Sequence, residues 1–82
     1  MDTELVFAIR NRILELCGEK NLAINEIANK ADIPPSTVKN IIYCKSKKPK
    51  MSTIKKICDG LDITLGEFFS TPEFDALEQE IQ

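Results

Sequence analysis

Two prolines in tandem, Pro34 and Pro35, constrain this chain more tightly than any other feature of its sequence. A residue that precedes a proline is pushed out of the α region, so a helix reaching Asp32 and Ile33 cannot run on through Pro34. The first turn of a helix, by contrast, accepts proline, because the missing N–H has no partner there to lose. Pro35 therefore opens a new helix. On one side of this break Ile27, Ala28 and Ala31 share a face over about residues 24–31. On the other side Val38, Ile41 and Ile42 do so over about residues 35–43.

The flanking sequence has the same helical period. Val6, Ile9, Ile13 and Leu16, widened by Phe7, Leu14 and Cys17, predict a helix over about residues 4–20, started by Asp2 or Thr3 and stopped by Asn21 in a left-handed turn. Ile54, Ile57, Cys58 and Leu61 predict another over about 51–61, whose last turn Gly60 should weaken. Thr64 and Glu67 form a capping box that opens a short fifth helix, about 65–69, carrying Leu65, Phe68 and Phe69. Thr71-Pro72-Glu73 is a further start signal, for a sixth helix over about 72–81 with Phe74, Leu77 and Ile81 on one side. No alternating pattern, internal repeat or low-complexity tract competes. The expected fold is all-α, a bundle of five helices plus a short C-terminal sixth.

An 82-residue chain is one domain's worth. Its longest apolar run, Leu5–Ile9, is far short of the roughly 20 residues a membrane span needs, and no basic-then-apolar leader opens it. There is no histidine; the commonest general base, the Ser–His and Cys–His pairs and ordinary zinc sites go with it. No glycine loop is built to cradle phosphate. Neither catalytic nor metal-binding residues, nor a cofactor, are expected, and an enzyme is the least favoured class. Three cysteines, Cys17, Cys44 and Cys58, are an odd number without a C-x-x-C pair. That suits a reduced, cytoplasmic chain better than a disulfide scaffold. Cys17 and Cys58 fall on apolar faces as small hydrophobes; a redox role would fit Cys44 best.

The net charge of −2 conceals a division along the chain. Residues 33–56 hold seven lysines and no acid, and residues 57–82 hold seven acids and no base. Because salt screens charges beyond about 10 Å at 0.1 M, acids that lie apart from the lysines leave their local field able to attract phosphate. A solvated loop balanced by neighbouring acids is the alternative.

Two short helices, a tight break and a lysine-rich loop (Cys44–Lys50) after the second form the layout of a helix-turn-helix. The second helix of such a unit needs short polar residues at its exposed start and an apolar face to hold it down. Pro35, Ser36, Thr37, Lys39 and Asn40 fill the first role, and Val38, Ile41 and Ile42 the second.

From Ile9 to Phe69 the sequence resembles the Xre/Cro family of helix-turn-helix DNA-binding domains, the group that includes the lambdoid phage repressors. The segments Leu22–Ala31 (LAINEIANKA), Ile33–Ile42 (IPPSTVKNII) and Met51–Phe69 (MSTIKKICDGLDITLGEFF) carry the resemblance, which is nearest to small single-domain bacterial regulators. It implies a lambda-repressor-like bundle, with residues 1–70 as the DNA-binding domain and 71–82 as an acidic C-terminal helix. It also implies double-stranded DNA as partner, base reading by Pro35, Ser36 and Asn40 with Thr37 and Lys39 beside them, and phosphate contacts from Tyr43, Lys47, Lys48 and Lys50, with Lys45 close enough to join. Asn40 is the best candidate base reader, since its amide can pair bidentately with adenine; a merely solvated Asn40, and lysines that attract DNA without specificity, are the competing readings. Four positions depart from the family pattern. Ala23 replaces a capping side chain, at a cost of about 1 kcal/mol; Ile24 stands for a common glutamine; Asp32 and Cys44 stand for common glycines.

The expected function is that of a sequence-specific transcriptional regulator, a repressor of bacterial or phage type that binds a pseudo-palindromic operator as a homodimer. Leu65, Phe69, Phe74, Leu77 and Ile81 are candidates for the dimer surface, unless the sixth helix folds back to cover its own core. No ligand-sensing domain is expected after it. The alternative is an antitoxin-like or anti-repressor module whose acidic end grips a basic protein.

Overall fold

The computed structural model describes residues 2–79 and residue 81. It consists of α1 (Asp2–Lys20), α2 (Ile24–Ala31), α3 (Pro35–Ile42), α4 (Met51–Leu61), α5 (Leu65–Phe69) and α6 (Pro72–Asp75), with no strand among the described residues. The core draws on five helices: Ile9, Ile13 and Leu16 from α1, Ile27 and Ala28 from α2, Val38 and Ile41 from α3, Ile54, Ile57 and Cys58 from α4, and Phe68 from α5.

α1 starts earlier than its pattern predicts, so Asp2 and Thr3 lie within the helix rather than at its cap. Its buried stripe is also displaced. Ala8 is buried, whereas Phe7 and Leu14, expected to widen the apolar face, are 46% and 36% exposed. At 100° per residue these two lie about 120–140° from the centre of the stripe made by Val6, Ile9, Ile13 and Leu16, on the side of α1 turned away from the core; α5 meets α1 at the other flank of the stripe. There the Arg12 guanidinium donates to the Phe68 carbonyl from Nε (2.7 Å) and to the Glu67 carbonyl from Nη2 (2.8 Å). The first bond satisfies a carbonyl that the end of a helix leaves without a partner; the Glu67 carbonyl also accepts from the Ser70 N–H (3.4 Å). Arg12 also pairs with Glu15.

At α5 and α2 the caps follow the sequence. At α5 the Glu67 N–H donates to the Thr64 hydroxyl (3.0 Å) and the Thr64 N–H to the Glu67 carboxylate (2.8 Å). At α2 only half of such a box exists: the Ala23 N–H donates to Glu26 (2.9 Å), and Ala23 has no oxygen with which to reciprocate. At Gly60 the propensity cost is set against packing. A Cβ there would lie 2.7–2.9 Å from the backbone of Lys30 and Ala31, so this glycine is where α4 meets the end of α2.

Four helices end alike. Asn21, Asp32, Cys44 and Asp62 all have a left-handed φ of 55–62°. In each case the next residue's N–H donates back to a carbonyl five residues earlier: Leu22 to Cys17, Ile33 to Ala28, Lys45 to Asn40 and Ile63 to Cys58, at 2.8–3.0 Å. This closure satisfies orphan carbonyls at a helix end. In three of the four, the residue after it is apolar and packs against the core (Leu22, Ile33, Ile63). After α3 it is Lys45, which is exposed.

α6 is one turn long, not the helix over 72–81 that the sequence predicts. Glu80 and Gln82 lie outside the described residues; Ala76 to Gln79 and Ile81 are not helical. Phe74 holds the turn in place, its ring 4.9 Å from that of Phe69 and 6.2 Å from that of Phe68, and the Asn11 amide donates to Glu73 (2.9 Å). Past Phe74 little remains to bury, and Ile81 is 87% exposed. Carboxylates oppose the negative end of a helix dipole, and a helix this short does not persist without packing. Thr71 stands at the predicted cap, although its side chain makes no capping bond.

Candidate nucleic-acid interface

α3 is held from three sides. Val38, Ile41 and Ile42 bury its inner face. Pro35 occupies its first turn as predicted, after Pro34 in an extended conformation (φ −63°, ψ 141°). At its far end the Arg10 Nε donates to the Ile42 carbonyl (2.8 Å). Arg10 is a positioning residue that the sequence pattern does not single out, for it acts across 32 residues. Its only sequence signal is a place on the border of the apolar stripe of α1.

The outer face of α3 is open. Pro35, Ser36, Lys39 and Asn40 are exposed, and Tyr43, just past the helix, is 64% exposed. Thr37 is half-buried rather than exposed. It lines a polar cleft of about 330 Å³ with Asn40, Ser46, Lys48, Lys50 and Thr53. The loop after α3 is tied to the helix through one atom, since the Asn40 carbonyl accepts from both the Lys45 N–H (2.8 Å) and the Ser46 N–H (3.1 Å). Lys45, Lys47, Lys48 and Lys50 are exposed along that loop. Thr37 and Asn40, two of the predicted base-reading residues, thus share a cleft with Lys48 and Lys50, two of the predicted phosphate-binding lysines, whereas Lys47 lines the cleft between α1 and α4. Of the two lysines further on, Lys55 pairs with Asp59 one turn along α4.

The cysteines lie as their spacing predicts. Cys58 is buried, Cys17 is half-buried against the core, and Cys44 is half-buried in its left-handed turn. Burial pushes the Cys17 and Cys58 thiols above the usual value of 9.0. At Cys58 the neighbouring Asp59 carboxylate adds to this effect, while Lys55 and Arg12 oppose it. Among the described residues no helix is long and apolar enough to cross a membrane.

Two short helices set by a tight left-handed turn, the second with a buried inner and a polar outer face, define a helix-turn-helix domain. The chain belongs to the family of Cro/C1-type HTH DNA-binding domains, which residues 12–73 match. That membership makes the domain a DNA-binding one. No curated protein and no solved structure matches the chain.

Proposed function

We propose that this protein is a sequence-specific transcriptional regulator of the cytoplasm that places α3 in the major groove of a pseudo-palindromic operator. In this reading Asn40, Ser36 and Pro35 contact base edges, with Thr37 and Lys39 beside them. Tyr43, Lys45, Lys47, Lys48 and Lys50 engage phosphates. The observation that carries the reading is the joint exposure of Ser36 and Asn40 on a helix whose next loop, tied to the Asn40 carbonyl, presents four lysines. Binding alone suffices to occlude a promoter, which makes repression the simplest outcome. Two-fold dimers set their recognition helices about 34 Å apart, matching one turn of the duplex. Leu77 and Ile81 are the remaining candidates for a dimer surface, because Leu65, Phe69 and Phe74 already pack against the protein's own core.

Titration of labelled duplexes over a salt series tests the reading. Each lysine–phosphate contact contributes about −0.9 to the slope of log K against log salt, so Lys47→Ala should flatten the slope by about that amount and weaken binding on every sequence alike. Asn40→Ala should erode preference for the selected site, with a loss of roughly 1–3 kcal/mol there and little on random DNA. Equal losses on selected and random DNA would remove Asn40 from base reading.

One observation favours a second reading, a protein-binding module of antitoxin or anti-repressor type. An apolar cleft of about 370 Å³ lies between the start of α1 and α4, with Met51 and Phe69 in its lining and Lys47 and Lys48 at its lip. A partner seated there would share those lysines with DNA. A stable hetero-complex that duplex DNA displaces would support it.

A further inference from the structure

We infer that the apolar cleft between the start of α1 and α4 is a docking site for this chain's own segment after α6, which seats Leu77 and Ile81 there and withdraws Lys47 and Lys48 from DNA. The docking stands on its own observations; its consequence for DNA rests on the phosphate contacts proposed above. Leu5, Ile9, Met51 and Phe69 are part of the cleft's lining, and Met51 is 55% exposed. Apolar area left in water is area that an occupant's apolar side chains gain by covering. The lip is cationic: Lys47 and Lys48 are exposed there, and neither makes an ion pair among the described residues. The cleft therefore suits large apolar side chains set among carboxylates.

The segment after Phe74 has that composition. Residues 75–82 carry Leu77 and Ile81 with Asp75, Glu78 and Glu80, and no base. Phe74 is the last described residue to pack against the core, Glu78 is exposed, and Ile81 is 87% exposed. The segment also starts beside the cleft, because the Phe74 ring lies 4.9 Å from that of Phe69, which lines it. Fully extended, residues 76–81 reach about 20 Å, as far as the 20 Å least extent of the molecule. So short a tether holds the segment at a local concentration in the millimolar range, which favours it over the same segment of a second copy. Exposed ion pairs contribute little, so Leu77 and Ile81 supply the attraction and Glu78 the register. Carboxylates and DNA phosphates then compete for the same two ammonium groups, and duplex binding expels the segment. Docking and dimerisation through Leu77 and Ile81 exclude one another, so these residues can pair two copies only once DNA has displaced them.

The test compares the full-length protein with its Leu77→Ser/Ile81→Ser variant, which keeps every acid and touches no residue packed against the core. The first readout is the methyl resonance of Met51 in the free proteins across a dilution series, then with a saturating random duplex. The second is affinity for that duplex over a salt series. The free proteins should differ at Met51 by an amount that dilution leaves unchanged, and the duplex-bound proteins should coincide there. The variant should bind about five-fold tighter, the gain when a closed state holding about four-fifths of the molecules is abolished. Its slope of log K against log salt should be steeper by up to about 1.8, for two lysines at about 0.9 each. Identical Met51 resonances in the free proteins would overturn the docking and leave DNA binding intact. A difference that fades on dilution would give the cleft to a second copy and overturn docking within one chain. Equal affinities despite a Met51 difference would overturn the competition with phosphate. If neither protein bound any duplex, the DNA reading above would fall, while Met51 would still decide the docking.

Discussion

Replacing Gly60 with alanine should destabilise this domain, against the usual rule for a glycine inside a helix. The rule follows from propensity, by which alanine is better than glycine by about 1 kcal/mol in a helix interior. The structure supplies the opposing effect. A Cβ at Gly60 would sit 2.7 Å from the Lys30 carbonyl carbon, 2.8 Å from its oxygen and 2.9 Å from the Ala31 nitrogen, where ordinary contact begins at 3.4 Å. All three are backbone atoms at the end of α2, so relief requires α2 and α4 to separate. Overpacking costs typically 1–3 kcal/mol, and a clash with backbone belongs in the upper part of that range. After the propensity gain, the net loss is about 1–2 kcal/mol. In a domain of this size each kcal/mol moves the melting temperature by roughly 4–8 °C, so Gly60→Ala should melt about 5–15 °C lower than the parent. Gly18→Ala in α1 is the matched control, since a Cβ there meets nothing within 4 Å. It should melt a few degrees higher, by about 0.5–1 kcal/mol of propensity. The assay is thermal unfolding followed by circular dichroism at 222 nm. A Gly60→Ala protein that melts at or above the parent temperature would refute the close approach of α4 to α2.

Arg10→Ala should cost about 1.5–3 kcal/mol, the worth of a charge-assisted hydrogen bond, and should weaken DNA binding further by loosening the end of α3; unchanged stability in urea would exclude the Ile42 bond as a brace. Cys44→Gly should stabilise the domain by about 0.5–1 kcal/mol. Removing a Cβ from left-handed geometry gains roughly 1–2 kcal/mol, and glycine's extra freedom in the unfolded chain takes back part of that. The same change at Asp32 should be close to neutral, because Asp tolerates that geometry; melting curves for the two variants separate the cases. The raised thiol values at Cys17 and Cys58 make stability pH-dependent in one direction. The folded state holds these protons more tightly than the unfolded state, so their contribution is complete below the ordinary value of 9.0 and is lost as pH rises through the folded values. Urea unfolding should show a constant contribution from pH 7 to 8 and a decline above 9 that Cys58→Ala reduces.

The sequence made α2, α3, α4 and α5 legible almost to the residue, because their limits are set by local chemistry. Pro35 can only begin a helix, the Thr64–Glu67 box can only cap one, and Asp32-Ile33-Pro34 can only end one. What escaped it depends on distant parts of the chain. Phe7 and Leu14 are the exception, since helix geometry alone sets them about 120–140° from the buried stripe and accounts for their exposure. Gly60 read as a local weakness because its partner, the carbonyl of Lys30, lies on another helix. Arg10 carried no signal for the same reason. The α6 start signal was correct, but a start signal says nothing about length. Length depends on what there is to bury, and past Phe74 the chain offers only Leu77 and Ile81 among acids.

The closures at the helix ends bear on why the lysine loop stays at the surface of the bundle. Each of the four reversals uses the same left-handed residue and the same five-residue backbone bond, so the backbone alone does not distinguish them. The difference is the side chain that follows. Leu22, Ile33 and Ile63 have apolar surface to bury, and burying it returns the chain to the core within one residue of the turn. Lys45 has a charge to keep in water, and Lys47, Lys48 and Lys50 after it have the same need. The chain after α3 therefore stays at the surface, with no fully buried residue from Tyr43 until Ile54. Meanwhile the two N–H groups that follow the turn are satisfied by the Asn40 carbonyl, so the loop leaves the core without losing its attachment to the outer face of α3. The charge that suits phosphate is thus also what sets the path of the loop that presents it.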